Sequence, residues 1–334
     1  MDALSRGLTR LLSTEAPDRR PEVLSVRPLT GGYSRVMSRA TVRWDGTEEQ
    51  DVILRSDPDS SEVVYMTSRI TEWKLLRVLT AARAVPMPAA LYYDDGTHLG
   101  TETIVLDCCP GSSLHAAAQA DGADLAGHAL AVADALAAIH LTDLSLVEGV
   151  LETPASWDDY LSDLTGEWSR AERAHPESVP VLRYLGAWLS AHRPAPLGLG
   201  LVHGDFQTAN IMVHGDLQVI DWEFAHIGDP REDLGWFNLY SASTSGPNLY
   251  ALDPEAFLER YRARTGTSAD TVNQATVTYF SVIAATRVYL DILRAAGSMA
   301  EGRAQGVMLT YNLNAVALGN FNWLSTCQAL EGML

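Results

Sequence analysis

A short segment in the second half of the chain combines residue types and spacings that suit metal-assisted phosphoryl transfer. It runs from His203 to Asn210 as His-Gly-Asp-Phe-Gln-Thr-Ala-Asn, and an Ile-Asp-Trp-Glu run follows. Asp205 lies five residues before Asn210, and Asp221 lies eleven residues after it. In such reactions one carboxylate accepts the proton of an attacking hydroxyl, while a carboxamide and a second carboxylate hold Mg²⁺. The spacing therefore predicts phosphoryl transfer to a hydroxyl.

Apolar runs flank this segment and predict the backbone that holds it. Residues 199–202 precede it, and residues 211–213 and 217–220 follow. Short apolar runs of this kind are typical of β-strands, and the His-Gly-Asp sequence at 214–216 predicts a hairpin turn between the last two. We therefore expect the polar residues at strand ends and in loops, where functional sites are usually built.

The same three polar residues have a purely structural alternative. Asp and Asn favour turns because their side chains bond nearby backbone groups. On this reading Asp205 caps a turn, Asn210 fills a turn position and Asp221 lies in a loop. The joint spacing favours chemistry over this alternative, because unrelated turn residues have no reason to fall at these intervals.

The segment resembles the catalytic loop of the aminoglycoside phosphotransferase and choline kinase branch of the protein-kinase-like superfamily. In that branch a His-Gly-Asp-x-x-x-x-Asn loop is followed by an Asp that corresponds to the Asp-Phe-Gly aspartate of protein kinases. The resemblance implies that Asp205 is the catalytic base. It also implies that Asn210 and Asp221 are the Mg²⁺ ligands.

A second motif indicates which members of this branch the chain resembles most. The sequence Gly-Asp-Pro at 228–230, followed by Asp233 and Leu234, is similar to bacterial phosphotransferases related to the N-terminal domains of some acyl-CoA dehydrogenases. We expect Asp229 and Asp233 to cap and anchor the next helix rather than to touch substrate.

The resemblance implies an α+β fold, the bilobal protein-kinase-like fold. A small N-lobe with an antiparallel sheet would span residues 1–106. A hinge would follow at residues 107–111, and a larger, mainly helical C-lobe would span residues 112–334.

A glycine pair between two alternating segments is the candidate phosphate-binding turn. The segments are residues 23–28 and 36–44. Glycines at a hairpin tip let backbone N–H groups approach phosphate oxygens closely, although a Gly-Gly hairpin is also a common plain turn. The predicted nucleotide-binding residues of this turn are Gly31, Gly32, Tyr33 and Ser34.

A cation ends the next predicted strand, residues 51–55. Kinases place a lysine there, which bridges the nucleotide phosphates and pairs with a helix glutamate. This chain has Arg55, and its only lysine is Lys74. Arginine grips phosphate and carboxylate through a planar fork. The resemblance implies Glu72 as its partner, within a predicted helix over 60–82, although Glu72 lies off the apolar stripe and fits an ordinary solvated position as well.

The predicted hinge supplies the remaining nucleotide contacts. The segment 103–111 has the pattern of a strand that runs into a turn, and in the family the adenine ring bonds backbone groups at this point. The resemblance implies the carbonyl of Asp107 and the amide of Cys109. The side chains of Cys108 and Cys109 are expected only to pack, because a disulfide between neighbours is strained.

Composition limits the classes of function. The chain has 334 residues, 47% of them hydrophobic, which suffices for two lobes with separate cores. Its formal net charge is −18 and it shows no basic stripe, so we expect no nucleic-acid partner. We expect no membrane span, no secretory signal and no disulfide framework. A cytoplasmic monomer or homodimer fits this composition.

The region after the hinge is expected to hold the acceptor. Residues 123–140 predict an amphipathic helix that ends at His140. We expect the His140 side chain to have a hydrogen-bond partner at this helix end rather than to act as a ligand. Ser156 and Asp159 form a capping box for the next helix, whose aromatic stripe is either core or acceptor cover. Asp158 and Glu223 are candidate substrate-binding residues, with solvation and a backbone bond as their respective alternatives.

The C-terminal region predicts three more helices. The first spans residues 254–265, with Pro254 at its first position and Gly266 as its cap. The second spans residues 268–296. The third begins after Gln305.

These features together predict a Mg²⁺-dependent transfer of the γ-phosphate of ATP, or GTP, to a small-molecule hydroxyl. The acceptor is either an antibiotic, such as an aminoglycoside, or a metabolic compound, such as a hydroxyacyl-CoA. The chain lacks a Gly-Lys-Ser/Thr sequence, which excludes a P-loop kinase, and it lacks an Ala-Pro-Glu segment, which disfavours a protein acceptor. The alternative from another class of function is a nucleotide-binding module without catalytic activity.

Overall fold

The computed structural model describes residues 3–29, 35–57, 67–174, 180–243 and 246–300. The chain divides into two compact units, the first ending at Pro110 and the second beginning at Gly111. This division falls inside the segment 107–111. A hinge role for that segment stays a prediction.

The first unit is built on a five-stranded sheet with the strand order β1-β2-β3-β5-β4, in which every neighbouring pair is antiparallel. Among its described residues, this unit has two helices. The elements are α1 (Ala3–Glu15), β1 (Pro21–Pro28), β2 (Val36–Trp44), β3 (Glu48–Ser56), α2 (Arg69–Ala82), β4 (Ala90–Asp95) and β5 (Glu102–Asp107).

Helix α1 covers one face of this sheet with an apolar stripe. Leu8, Leu11 and Leu12 are almost fully buried and belong to one cluster with Val42 and Trp44 of β2. Their spacing of three and four residues puts the leucines on a single helix face. Alternation along β2 turns its apolar side chains toward the same side of the sheet. Burial of these side chains therefore joins the helix to the sheet.

Helix α2 is shorter than the sequence predicts. Thr67 and Ser68 are not helical, and the Ser68 side chain accepts a hydrogen bond from the Thr71 amide as an N-cap. The predicted start at residue 60 is therefore wrong, because the cap fixes the first helical residue at Arg69. Residues 58–66 lie outside the described part of the chain.

The second unit contains eight further α-helices and five short strands among its described residues. The strands form two small sheets, β10-β7 and β6-β8-β9. The elements are β6 (Ser112–Ser113), α3 (Leu114–Ala118), α4 (Leu125–His140), α5 (Trp157–Ala174), α6 (Pro180–Ala191), β7 (Gly200–Val202), β8 (Ile211–His214), β9 (Asp216–Val219), β10 (His226–Gly228), α7 (Arg231–Ser243), α8 (Leu249–Leu252), α9 (Pro254–Thr265) and α10 (Gln274–Ala300).

The strands predicted around the polar segment are present. Strands β8 and β9 pair antiparallel across a turn at Gly215, which has a φ of +77°. Helix α9 has its predicted bounds, because Pro254 starts it and Gly266 ends it in the left-handed conformation. Helix α10 begins at Gln274, six residues after the predicted start. Asn273 fixes this start by accepting a hydrogen bond from the Thr276 amide. The helix predicted after Gln305 lies outside the described residues.

Helices α7 and α10 cross at close range in the core of the second unit. An added Cβ at Gly235 would lie 2.4 Å from the backbone carbon of Phe280, a separation that real Cβ atoms do not show. The Ser281 hydroxyl also donates to the Gly235 carbonyl, over 3.0 Å. A glycine is therefore required at this crossing, and it lets α7 carry its side chains to the polar loop.

The content of helix and antiparallel sheet confirms the predicted α+β class. Within the described residues, none of the helices is long and apolar enough to span a membrane.

Replacing Gly235 with Ala is expected to destabilise the second unit by about 1–3 kcal/mol, because two backbones would have to separate. Gly186→Ala is the matched control, since Gly186 lies in α6 with no atom near the position of its Cβ. Alanine there should leave stability unchanged or raise it by up to about 1 kcal/mol. Urea unfolding measures both. Equal stability of the two variants would contradict the close crossing.

Candidate active site

The loop from His203 to Gln207 follows β7 and leads into a short 3₁₀ turn and β8. Gly204 has a φ of +81°, a conformation that L-residues rarely adopt. A Cβ at this position would also lie 2.4 Å from the Phe224 carbonyl oxygen. Both conditions require glycine, which explains the His-Gly-Asp sequence in terms of backbone geometry.

His203 ties the two acidic parts of the site together. The residue is fully buried, and its Nε2 lies 3.0 Å from the Ile220 carbonyl oxygen, next to Asp221. Its Nδ1 accepts a hydrogen bond from the Asp205 amide over 3.2 Å. A neutral imidazole with the proton on Nε2 satisfies both contacts. The histidine therefore sets the spacing between the two aspartates.

The Asp233 carboxylate holds the backbone of this loop. It accepts the amide protons of His203 and Gly204, over 2.7 and 3.0 Å. The His140 ring contacts the same carboxylate over 3.1 Å and the Tyr261 hydroxyl over 2.7 Å. The sequence predicts that Asp233 caps and anchors α7, and the structure shows that its side chain bonds the loop. The satisfied bond predicted for His140 is present.

Asp229 has the capping role that the sequence predicts. Its Oδ1 accepts the Arg231 amide over 2.9 Å at the start of α7. The Trp157 indole donates to its other oxygen over 2.6 Å, and the Arg231 guanidinium pairs with it at 2.7 Å. This buried group joins α7 to α5.

Three side chains donate hydrogen bonds to the Asp205 carboxylate. Gln207 and Trp236 reach Oδ1, each over 2.8 Å, and Asn210 reaches Oδ2 over 2.7 Å. The orientation of the carboxylate is therefore fixed. Sequence analysis missed Gln207 and Trp236. Gln207 lies inside the motif. Trp236 belongs to α7, and its neighbours in the sequence form no motif that marks it as a site residue.

Asp205 has an altered acidity. Burial and the nearby negative charge of Asp221 raise its pKa to about 7, although the three donors favour the charged form. Two carboxylates that repel each other in this way form a favourable place for a cation. A pKa near neutrality also suits a group that accepts a proton.

Asn210 and Asp221 complete the oxygen set. The Asn210 amide nitrogen donates to the Asp205 side chain and to its backbone carbonyl, so its Oδ1 is the atom that remains for a ligand. Asp221 has a φ of +68°, a left-handed conformation that Asp tolerates better than most residues. Carboxylate and carboxamide oxygens are donors that Mg²⁺ prefers, so Asn210 and Asp221 fit that ion.

The first unit contains a separate buried charge cluster around the predicted Arg55–Glu72 pair. Arg55 Nε lies 3.3 Å from Glu72 Oε1, and both side chains are buried. Arg69 contacts the other Glu72 oxygen and lies 3.1 Å from Asp57. Arg35 lies 3.4 Å from the same Asp57 oxygen. Among these residues three guanidinium groups contact two carboxylates.

The other predicted site residues are more scattered. Asp107 and Cys109 are half-buried at the end of the first unit, and the Asp107 amide donates to the Ala89 carbonyl over 2.8 Å. Asp158 pairs with Arg193 and leaves 73% of its side chain exposed. Glu223 is half-buried two residues after Asp221. Gly31, Gly32, Tyr33 and Ser34 lie outside the described residues. The roles of all these residues stay predictions.

The second unit also contains a cavity of about 510 Å³. Asp158 and Glu223 do not line it. Its charged and aromatic lining residues are Glu152, Tyr160, Asp163, His226, Glu232 and Arg287. Tyr160 belongs to the aromatic stripe of α5 that the sequence identifies, whereas His226, Glu232 and Arg287 come together only through tertiary packing.

The sequence matches the phosphotransferase enzyme family over residues 25–269. The chain belongs to this family. It is also similar to mouse acyl-CoA dehydrogenase family member 10, with 28% identity over 211 residues, or 60% of this chain. The match covers 19% of that relative, so the chain corresponds to only a small part of it. Both similarities confirm the family that the sequence motifs indicate.

Solved structures show the same fold. A Ralstonia eutropha protein described as an aminoglycoside phosphotransferase aligns with a TM-score of 0.71 and 17% identity, over 97% of this chain and 98% of that one. Aminoglycoside 2′-phosphotransferase-IIIa, solved as its GDP complex, aligns with a TM-score of 0.64 and 17% identity, over 95% and 99%. The phosphotransferase described here therefore has the protein-kinase-like fold that its sequence predicts.

Asp221→Asn tests the charge arrangement of the site. The raised pKa of Asp205 means that the metal-free fold loses stability as pH rises from the ordinary carboxyl value through about 7. Removing the Asp221 charge should lower that pKa and stabilise the metal-free protein at pH 8 by about 1 kcal/mol. We expect Mg²⁺ to raise the Tm of the wild type and the variant to lose most of that rise.

Thermal unfolding at pH 6 and pH 8, with and without Mg²⁺, measures both effects. Asp216→Asn is the control, because Asp216 is exposed at the start of β9. A Mg²⁺-dependent rise in Tm that is as large in Asp221→Asn as in the wild type would remove Asp221 from the ligand set.

Proposed function

We propose that this phosphotransferase moves the γ-phosphoryl group of ATP or GTP to a hydroxyl of a small molecule, with Mg²⁺ as its metal. The observation that carries the proposal is the Asp205 carboxylate, held by three donors beside Asn210 and Asp221. A base and two oxygen ligands in one place are the minimum that this chemistry needs. The GDP complex of a structural relative supports a nucleotide as the second substrate.

Asp205 has the role of the base. One of its carboxylate oxygens receives the acceptor hydroxyl, orients it toward the phosphorus and takes its proton as the new bond forms. The donors Trp236 and Gln207 hold the carboxylate through its Oδ1, so little reorganisation is required when the reaction occurs. Most of the rate acceleration comes from positioning and from charge stabilisation.

Asn210 Oδ1 and an oxygen of Asp221 are the atoms that would hold the metal. When bound, Mg²⁺ neutralises charge on the transferred group. Arg55, held by Glu72, binds the nucleotide phosphates in place of the usual lysine, and Arg35 and Arg69 add positive charge to the same cluster. The sequence assigns residues 31–34, which lie outside the described part of the chain, to the phosphates, and the Asp107 carbonyl and Cys109 amide to the adenine or guanine ring.

The acceptor defines the physiological role. An aminoglycoside or another antibiotic would make the protein a resistance enzyme. A metabolic hydroxyl compound, such as a hydroxyacyl-CoA, would make it a catabolic kinase, a role that the likeness to acyl-CoA dehydrogenase family members supports. Cys108 and Cys109 are free thiols, which suits the reducing cytoplasm in which we place the protein.

Asp205→Asn should lower kcat by about 10²–10⁴-fold, because the hydroxyl loses its proton acceptor. Nucleotide affinity should stay within a few-fold of the wild type, since the phosphates are held elsewhere. The measurement is Mg²⁺-dependent nucleotide turnover against a panel of antibiotics, hydroxyacyl-CoA esters and simple alcohols, beside equilibrium nucleotide binding. Asp216→Asn serves as the control with normal kcat.

The outcomes separate the alternatives. Full activity in Asp205→Asn would end its assignment as the base. Nucleotide binding that is tight and indifferent to Mg²⁺, without turnover on any acceptor, would favour a silent nucleotide-binding module.

A further inference from the structure

The cavity of the second unit is built around one buried carboxylate. Glu232 is 1% exposed and accepts a hydrogen bond from the Tyr160 hydroxyl. The Arg287 guanidinium pairs with one of its oxygens, and His226 Nε2 lies 3.3 Å from the other. One carboxylate therefore serves two basic side chains, which line the same cavity.

The hydrogen bonds of His226 indicate a charged ring. Its Nε2 faces the Glu232 carboxylate, and its Nδ1 lies 2.9 Å from the Phe224 carbonyl oxygen. Neither partner donates a proton, so both ring nitrogens are satisfied only when both carry hydrogen. Burial opposes the charged ring, yet the Glu232 carboxylate raises the pKa of His226 above its ordinary value.

Exposure decides which charge the cavity presents. The side chains of His226 and Arg287 are 33% and 23% exposed, whereas Glu232 is 1% exposed. The inner wall is therefore cationic toward a ligand. Glu152 and Asp163 also line the cavity, but both are exposed residues whose charge is screened by water. Charges in the less solvated wall act more strongly on a bound ligand.

The cationic wall lies close to the Asp205 carboxylate. The guanidinium carbon of Arg287 is 5.2 Å from the centre of the Trp236 ring. The indole nitrogen of that ring donates to Asp205 over 2.8 Å. The Trp236 indole therefore contacts both the Arg287 guanidinium and the Asp205 carboxylate, although neither Trp236 nor Asp205 lines the cavity itself.

We propose that this cavity binds the acceptor, and that the acceptor carries an anionic oxygen group, a carboxylate or a phosphate, a few bonds away from its hydroxyl. Arg287 and His226 receive the anionic group, and Asp205 receives the hydroxyl. This inference depends on the proposed phosphotransfer only where it assigns the hydroxyl to Asp205. The anion site at Arg287 and His226 does not depend on it. It favours anionic metabolic acceptors over polycationic antibiotics.

A matched set of four-carbon probes tests the charge preference. The probes are 4-hydroxybutyrate, 4-hydroxybutyramide, 4-hydroxybutyl phosphate and 4-amino-1-butanol. Calorimetric binding to the wild-type protein should favour at least one of the two anions over the neutral amide by about tenfold or more, because a charge-assisted bond is lost in the amide. The two anionic probes distinguish a carboxylate site from a phosphate site.

Variants locate the preference at this wall. Arg287→Gln should reduce affinity for the preferred anion by about tenfold or more while affinity for the amide changes little. Arg287→Lys should restore part of the loss, since it keeps the charge without the planar fork. Arg260→Gln is the control, because Arg260 pairs with Asp134 on an exposed surface. His226→Gln provides an independent test if the arginine variants do not fold.

The outcomes distinguish this inference from the proposed function. Anion binding that depends on Arg287, without phosphotransfer to any probe, would support the cavity and count against the proposed reaction. Phosphotransfer with equal or better use of the amide or the amino alcohol would support the reaction and overturn the anionic acceptor. Absence of binding by both anionic probes to the wild-type protein would also overturn it.

Discussion

The Asp233 carboxylate accepts the His203 and Gly204 amide protons inside the second unit, and the placement of Asp205 depends on this contact. A loop buried without such an acceptor would leave two amides unsatisfied, at a cost of about 1–3 kcal/mol for each. Because Asp233 belongs to α7, the helix that supplies Trp236 also holds the loop. Helix α7 therefore contacts both the backbone of the loop and the Asp205 side chain, and a shift of α7 would move both.

Negative charge is concentrated where it lowers stability. Asp205 and Asp221 repel each other, and the backbone of Asp221 is held in a conformation that few residues adopt. Such features persist only when the surrounding structure determines them, and they are concentrated at functional sites. Here the buried His203 supplies that constraint from both sides, through the Ile220 carbonyl and the Asp205 amide. In the described part of the first unit, Arg55 and Arg69 both contact the buried Glu72 carboxylate.

Features with local causes could be predicted from the sequence. Helix α9 was predicted with its bounds because Pro254 and Gly266 act on the backbone around them. The strands beside the catalytic segment followed from short apolar runs. The start of α2 was misplaced because an apolar stripe does not reveal which residue caps a helix. Trp236 was beyond prediction as a site residue, because its position depends on how α7 packs in the second unit and leaves no mark in the local sequence.

The acidic surface has a consequence for the rate at which ligands enter and leave. The chain carries a formal charge of −18, and Glu152 and Asp163 are exposed lining residues of a cavity with a cationic inner wall. An anionic acceptor is therefore repelled at long range and attracted only at short range. Salt screens charges separated by more than about 8 Å at physiological ionic strength. A small addition of salt should therefore speed the association of an anionic acceptor, whereas a larger addition should weaken the bound state. In the proposed reaction the phosphorylated product would carry more negative charge than the acceptor, and the same surface would favour its departure.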